Sequence, residues 1–411
     1  MSGNQGQGTS SSFNGKIEEI PGIYVDNFEN PATDGACAYF LSHFHTDHTV
    51  GLDRMNLLRK LMDKKNVFIY ATELCSHIVQ HKNPHLKPYV KILKLGSNLI
   101  PLPGDNQSET FLSVTLIPAG HCMGSTMFLF ETTAKKVLYT GDFRIRENDI
   151  PKYAALHHDG EIIKLDTLYV DTTFNDKDYM DFPKRSETAL DAVSLISQLL
   201  EDENVCVVLE TPAHYTYEHV FNTIYQKLNM KVYVGDKWDF YSTIQHLVPG
   251  VTNNSEETRV FLNCARNGFR TKRIRFSAMT WSSWSDDDPA VRNKHDKYFI
   301  CFATHCSRSE LISFVNYLNP DKVVGFPNPY VVKSSNSTYE GCYEGMSSQK
   351  PPVKRLDSVP RSYVVEGSNS TYEGRYEGMS SQKTPVKRRY SAVRSPKDRK
   401  VDPAVLKKMF G

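Results

Sequence analysis

From about Ile20 to Asp171 the chain alternates short runs of β-branched and aromatic residues with Gly, Asn, Asp and Pro. ACAYFL (36–41), VFIY (67–70), SVTLI (113–117), MFLF (127–130), KVLY (136–139) and LYV (168–170) predict strands. LDRMNLLRKLMDKK (52–65) puts Leu52, Met55, Leu58 and Met62 on one helical face. From Phe182 the period lengthens. Ala189, Val193, Ile196 and Leu200 recur at helical spacing, followed by a strand at CVVLE (206–210). Val220, Ile224 and Leu228 mark a second helix, and KVYV (231–234) extends again. After a basic, poorly patterned stretch (264–297) come the strand YFICF (298–302), the helix ELISFVNYL and the strand KVVGF. Strands interleaved with helices predict an α/β protein, with a second lobe set between two parts of the first.

The tail is different material. Tyr330–Arg355 recurs as Tyr363–Arg388 with four of 26 positions changed. Two copies are too few for a solenoid, and this composition buries too little apolar surface to offset chain entropy. Residues 1–15 and 333–411 are therefore expected to be disordered. The net charge of +2 hides an asymmetry: from Ser381 onward ten Lys/Arg face two Asp/Glu, leaving the remainder near −6. Any nucleic acid must then be bound through local basic patches and metal ions, not through the global field. VKRRY (386–390) and RSPKDRK (394–400) are candidate nuclear-import or DNA-tethering runs, and Thr384 and Ser395 precede prolines.

The polar first residues lack a secretory core, and no apolar stretch reaches the roughly 20 residues that span a bilayer. Eight scattered cysteines without a C-x-x-C pair read as thiols in a reducing compartment. The expectation is an intracellular protein without membrane contact.

FLSHFHTDHTVGL (40–52) carries the decisive pattern, H-x-H-x-D-H directly after a strand. Imidazole nitrogen and carboxylate oxygen are good ligands for zinc and similar ions. His43 and His45 alternate along the strand end, and Asp47 and His48 turn onto the following loop. One cluster cannot complete two metal shells. IPAGHCMGS (117–125) supplies His121 on a Gly-rich loop, and LYTGDFR (138–144) supplies Asp142 on another. The expected arrangement is one ion held by His43, His45, His121 and Asp142, and a second by Asp47, His48 and a bridging Asp142. Two divalent ions, zinc foremost, about 4 Å apart would activate a water and stabilise the leaving oxygen of a phosphodiester.

The motifs SHFHTDH, PAGHCMGSTMFLF, LYTGDFR and LYVDTTF together resemble the metallo-β-lactamase/β-CASP nucleases, in the Artemis-type branch of DNA cross-link repair enzymes. The likeness runs from about Ile20 to Phe326, weakens across the second lobe and returns at CFATHCSRSE (301–310). It implies a metallo-β-lactamase αββα sandwich (16–171 and 299–332) with an inserted β-CASP domain (172–298). It also implies roles for particular residues. Asp26 is a carboxylate behind the metal that orients the H-x-H ligands, and Asp171 opens the β-CASP lobe. His305 completes the second metal site or contacts the scissile phosphate, and Ser307 contacts phosphate. Members that cut RNA carry a histidine in the last β-CASP motif where those that cut DNA carry valine. Val323 and Val324 stand there in this chain and favour DNA.

The sequence departs from that pattern in three places. Pro212 occupies the position of a lysine that grips phosphate, with His214 two residues on, so substrate binding is expected to weaken. Of the two His and two Cys ligands of a structural zinc in the lobe only Cys264 remains, so none is expected. Met123 replaces a proline, keeping volume but not the fixed φ.

RNGFRTKRIRF (266–276) interleaves Arg266, Arg270, Lys272 and Arg273 with phenylalanines. It reads as a single-stranded DNA path or as a solvated loop over a core-facing Phe. The composite expectation is a monomeric, nuclear, metal-dependent deoxyribonuclease working on DNA ends, overhangs or hairpins in repair, with catalytic Asp47, His305 and Asp171. Its tail would meet repair proteins. A β-CASP ribonuclease, a small-molecule hydrolase and a metal-binding scaffold that has lost cleavage are the rivals.

Overall fold

The computed structural model describes residues 13–29, 35–64, 66–102, 110–294 and 297–332. The tail from residue 333, its repeat and its basic runs lie outside them, as do residues 1–12. The chain is already packed at Phe13, inside the segment expected to be disordered. Its ring lies 5.4–5.6 Å from those of Tyr139, Tyr169 and Phe326, which bury an aromatic that the polar flank cannot.

Ile23–Val25, Ala38–Leu41, Ile69–Thr72 and Val90–Leu93 form a four-stranded parallel sheet in chain order. A second sheet of six strands runs Lys322–Phe326, Thr167–Asp171, Lys136–Tyr139, Thr126–Glu131, Thr110–Pro118, Gly96–Leu102. Strand alternation decides what each face meets. Ala38 and Phe40 point into the core between the sheets, with Val114, Leu116, Phe128 and Phe130 opposite. Tyr39 and Leu41 point outward, onto helices α1 (Met55–Asp63) and α2 (Glu73–Lys82). The outer face of the six-stranded sheet, with Leu129, Leu138 and Leu168, is covered later in the chain by Leu311, Phe314 and Leu318. Helix, sheet, sheet, helix is the αββα sandwich.

The buried face of α1 is not the one expected. The helix buries Leu57 and Leu61, whereas Met55 and Met62 are 58% and 63% exposed. Leu52 is buried in the turn before the helix begins, so it cannot set the helical phase. The i, i+4 pair Leu57/Leu61 sets it instead.

The second lobe holds a seven-stranded, largely parallel sheet spanning Val205–Glu210 to Lys297–Ile300. Helices α3 (Arg185–Leu199) and α4 (Glu218–Leu228) bury Ala189, Val193 and Ile196, and Val220 and Ile224, against it. A short helix, α5 (Trp238–Tyr241), follows. Lys297–Ile300 pairs within this sheet, so the chain leaves the lobe slightly beyond the expected boundary at 298. Helix α6 (Arg308–Leu318) then crosses to the last strand of the first lobe, Lys322–Phe326, which pairs with Thr167–Asp171.

The basic stretch is neither a loop nor a bare path. Arg270–Phe276 is an interior strand between Val205–Glu210 and Lys297–Ile300, with Ile274 and Phe276 fully buried. Among the described residues no helix is long and apolar enough to cross a membrane.

Candidate metal centre

Loops leaving the ends of Ala38–Leu41, Thr110–Pro118 and Lys136–Tyr139 bring His43, His45, Asp47, His48, His121 and Asp142 together. Glycines permit the approach. Gly141 has φ +52°, and a Cβ there would stand 2.6 Å from Ser42 Oγ. At Gly120, φ +67°, it would stand 2.7 Å from the Arg144 carbonyl.

Asp142 is the hub. Its Oδ2 lies 3.5 Å from His43 Nε2 and 3.5 Å from His121 Nε2, and its Oδ1 lies 3.2 Å from His48 Nε2. Asp47 Oδ2 is 3.6 Å from His48 Nε2. His45 Nδ1 faces His121 Nε2 at 3.1 Å. Four sets of donor atoms overlap here: His43, His45, His121 and Cys122; Asp26, His43 and His48; Asp47, His48 and Asp142; and His121, Asp142 and His305. Cys122 was not expected in such a set.

Partners behind each ring assign its tautomer. His45 Nε2 donates to the His214 carbonyl (2.9 Å), and His121 Nδ1 donates to the Thr304 carbonyl (3.0 Å). The two nitrogens that face each other therefore carry lone pairs. Ser42 Oγ donates to Asp26 (2.5 Å) and accepts from His43 Nδ1 (3.0 Å). That leaves His43 Nε2 with a lone pair, completely buried and without a hydrogen-bond partner. The lone pairs of His43 and His121 face one Asp142 oxygen, and that of His45 faces His121, with no proton between them; they repel each other, and a cation resolves that repulsion. The donor set fits a metal.

Charge agrees with geometry. Burial holds His43, His45 and His121 below the ordinary histidine range, His43 and His121 well below. Burial opposes charge on His48 too, but Asp142 and Asp26 overcome it and raise His48 well above that range. Asp142 is buried, yet His48, His305 and His121 hold its carboxyl well below the usual carboxylate range.

Asp26 does stand behind the cluster, but on a different ligand from the one expected. It accepts from His48 Nδ1 (2.8 Å), from Ser42 N (2.7 Å) and from Tyr139 OH (2.9 Å), and it reaches His43 only through Ser42. His45 is braced by the second lobe. His305 Nδ1 is held by Asp171 at 2.7 Å, and its ring lies 4.6 Å from that of His121. Burial lowers the His305 imidazole, and Asp171 and Asp142 raise it more strongly, to about 9.

Ser307 is not brought to the site. It is fully buried as the N-cap of α6, in a capping box with Glu310. Four successive hydrogen-bonding groups at that helix end need partners, and Ser307 supplies one. Three of the basic residues are also elsewhere and already paired: Arg266 with Glu256, Arg270 with Asp202, and Arg273 with Glu210. None of the four, Lys272 included, lines the cleft.

That cleft, about 840 Å³, runs between the lobes over the donor cluster. Asp47, His48, His121, Asp142 and His305 line it from one side, and Pro212, His214 and Lys237 from the other. Phe326 and Pro327 reach it from the last strand; Val323 and Val324 do not. Met123 does more than fill volume. Its N–H donates to the Tyr215 carbonyl of the second lobe (3.0 Å), a bond that a proline could not make. Residue types in the sequence hinted at Ser42 and Tyr139 only by adjacency to motifs. The carbonyls of His214 and Thr304 left no trace there, because any residue can supply a carbonyl.

Comparison with known proteins now bears on this geometry. The profile described as beta-lactamase superfamily domain matches residues 27–208, and that described as DNA repair metallo-beta-lactamase matches residues 238–329. The chain belongs to the DNA repair metallo-β-lactamases. Protein artemis of Rattus norvegicus and that of Homo sapiens are each 30% identical to it over 346 residues, covering 77% of this chain and 49% of theirs. The DNA cross-link repair 1A protein of Gallus gallus is 28% identical over 337 residues, covering 75% of this chain and 32% of its own. The chain spans about half the length of the artemis relatives it matches. Both profiles fall on the two lobes that frame the cleft, and the DNA repair metallo-β-lactamase match takes in His305.

Proposed function

We propose that this chain is a metal-dependent deoxyribonuclease that cuts phosphodiesters at DNA ends, overhangs or hairpins, in the nucleus and in the service of repair. The observation that carries this reading is the fully buried, unpartnered Nε2 of His43, which with His121 Nε2 faces one carboxylate oxygen of Asp142. His43, His45, His121 and Asp142 would hold one divalent ion, and Asp47, His48 and the other oxygen of Asp142 a second, zinc being the ion such a set favours. Bound divalent ions supply Lewis-acid activation of water and neutralisation of the charge that develops on a phosphodiester.

The chain's own residues prepare that chemistry. Asp26 fixes the His48 ring and, through Ser42, the His43 ring, so both present Nε2 inward. The second lobe fixes His45 through the His214 carbonyl and Thr216 Oγ1. Asp171 holds the Nδ1 side of His305, leaving the other ring nitrogen to donate a proton toward the departing oxygen.

Asp47 is the residue to test. Its side chain is 57% exposed and among the described residues its carboxylate pairs only with His48, at 3.6 Å, so its loss should leave the fold intact. Asp47→Ala should lower cleavage of end-labelled single-strand, overhang and hairpin DNA by about a thousandfold or more at unchanged melting temperature. A variant that cuts at the wild-type rate would falsify the proposal. Matched RNA oligonucleotides cut in preference to DNA would replace it with the ribonuclease reading.

A further inference from the structure

The cleft continues past the donor cluster. Behind His45, whose Nε2 meets the His214 carbonyl, its wall carries the exposed His214 ring, Lys237 just ahead of α5, and Lys82 at the end of α2. The lysines come from opposite lobes and face one channel. Among the described residues neither has a carboxylate partner. Asp239 is taken by His81 at 3.5 Å. Glu218, beneath the wall, is taken by Tyr241 OH at 2.5 Å. Asp236 is exposed and pulls on Lys237 without pairing with it.

Lys237 is half-buried, and burial, with Lys82 adding to it, makes its ammonium less basic than usual. His214, Lys237 and Lys82 line the same cleft, so the three groups share one wall. Unpaired cations brought together on a concave wall are unfavourable until an anion joins them. Pro212, exposed on the same wall, offers no donor of its own.

We propose that Lys237, with Lys82 and His214, forms a subsite for a backbone phosphate of single-stranded DNA, next along the strand from the phosphate at the donor cluster. The placement follows from His214, whose carbonyl braces a candidate metal ligand while the residue lines the cleft together with both lysines. The proposal rests on the nuclease reading, because the phosphate it holds belongs to the strand being cut.

Binding of the full-length, metal-loaded chain to a fluorescein-labelled phosphorothioate oligodeoxynucleotide, over a series of salt concentrations, tests it. Lys237→Gln should weaken binding about three- to tenfold and lower the slope of log Kd against log salt by about 0.7, one phosphate contact on a single strand. Lys82→Gln should do the same to a smaller extent, and Lys237→Arg should keep most of the affinity. Lys227→Gln, on α4 and away from the cleft, should change nothing. Circular dichroism and melting curves would show that each variant is folded. Wild-type affinity and slope in folded Lys237→Gln overturn the subsite and leave the nuclease reading standing. A wild-type chain that does not bind the strand at all removes both.

Discussion

Asp26 sits at φ +56°, a left-handed conformation that Asp and Asn tolerate better than other non-glycine residues. The backbone turn aims its carboxylate into the sandwich, where it accepts from the Ser42 N–H and hydroxyl, His48 and Tyr139. Asp26→Asn keeps the turn but sets an amide N–H₂ against groups that all donate. It should cost about 2–4 kcal/mol of stability and lower metal affinity about 10- to 100-fold, read by denaturant melts and by zinc titration against a competing chelator. Wild-type values in both would show that the carboxylate does not orient the ligands. A second residue-level test uses His305. Its folded-state value, about 9, lies above the unfolded histidine value, so its stabilisation is present below about pH 6.5 and lost as pH rises toward 9. Chelator-stripped protein should lose about 1–3 kcal/mol over that window, and His305→Gln should flatten the loss. His43, His45, Asp47 and His48 stood out in the sequence because three histidines and a carboxylate in six positions have few structural uses, and His121 and Asp142 because each follows a strand on a glycine-containing turn. What braces them did not, since Ser42 and two backbone carbonyls look like any serine and any peptide.

At the element scale, Ser307 and the strand Arg270–Phe276 show how a motif misleads when its surroundings are unseen. The family resemblance implies a phosphate contact for Ser307, yet its hydroxyl caps α6 and accepts from the Glu310 N–H. Glu310 in turn pairs with the buried Arg144, so the cap ties the helix to the loop that follows Lys136–Tyr139. Ser307→Ala should therefore lower stability by about 1 kcal/mol and leave the cleavage rate within about twofold of wild type. A large loss of rate with no loss of stability would restore the substrate contact. The strand at 270–276 was hidden for a different reason. Interior parallel strands usually read as continuous apolar runs, and this one carries Arg270, Lys272, Arg273 and Arg275. Asp202 and Glu210 take up Arg270 and Arg273 at the sheet surface, so the charges cost little and the alternate Ile274 and Phe276 still reach the core. Long-range pairing of this kind has no local signature. By contrast, α3 and α4 were fully legible, because their period alone decides which face is buried.

The two lobes of the whole molecule share a core. Leu74 and Ile78 of α2, with Met123 from the His121 loop, belong to the same buried cluster as Val220, Phe221 and Phe240 of the second lobe. His77 donates to or accepts from Thr243 Oγ1 at 2.8 Å across the same boundary, and Met123 N bonds the Tyr215 carbonyl. A cleft built on one lobe's candidate ligands and the other's braces depends on this, because His45 is bonded to His214 and Thr216 of the second lobe. Truncating Met123 tests the coupling. Its side chain is 3% exposed, and Met123→Ala should cost about 2–4 kcal/mol through lost contacts and the cavity left behind. The manner of unfolding is more informative than the amount. All three tryptophans, Trp238, Trp281 and Trp284, lie in the second lobe, so their fluorescence reports that lobe alone. Zinc released to a coloured chelator reports the donor cluster of the first. If the shared core makes the lobes one cooperative unit, both signals move to lower denaturant by the same amount in Met123→Ala and remain coincident. If tryptophan fluorescence falls well before zinc is released, the lobes are independent bodies and the cleft between them is not held by this core.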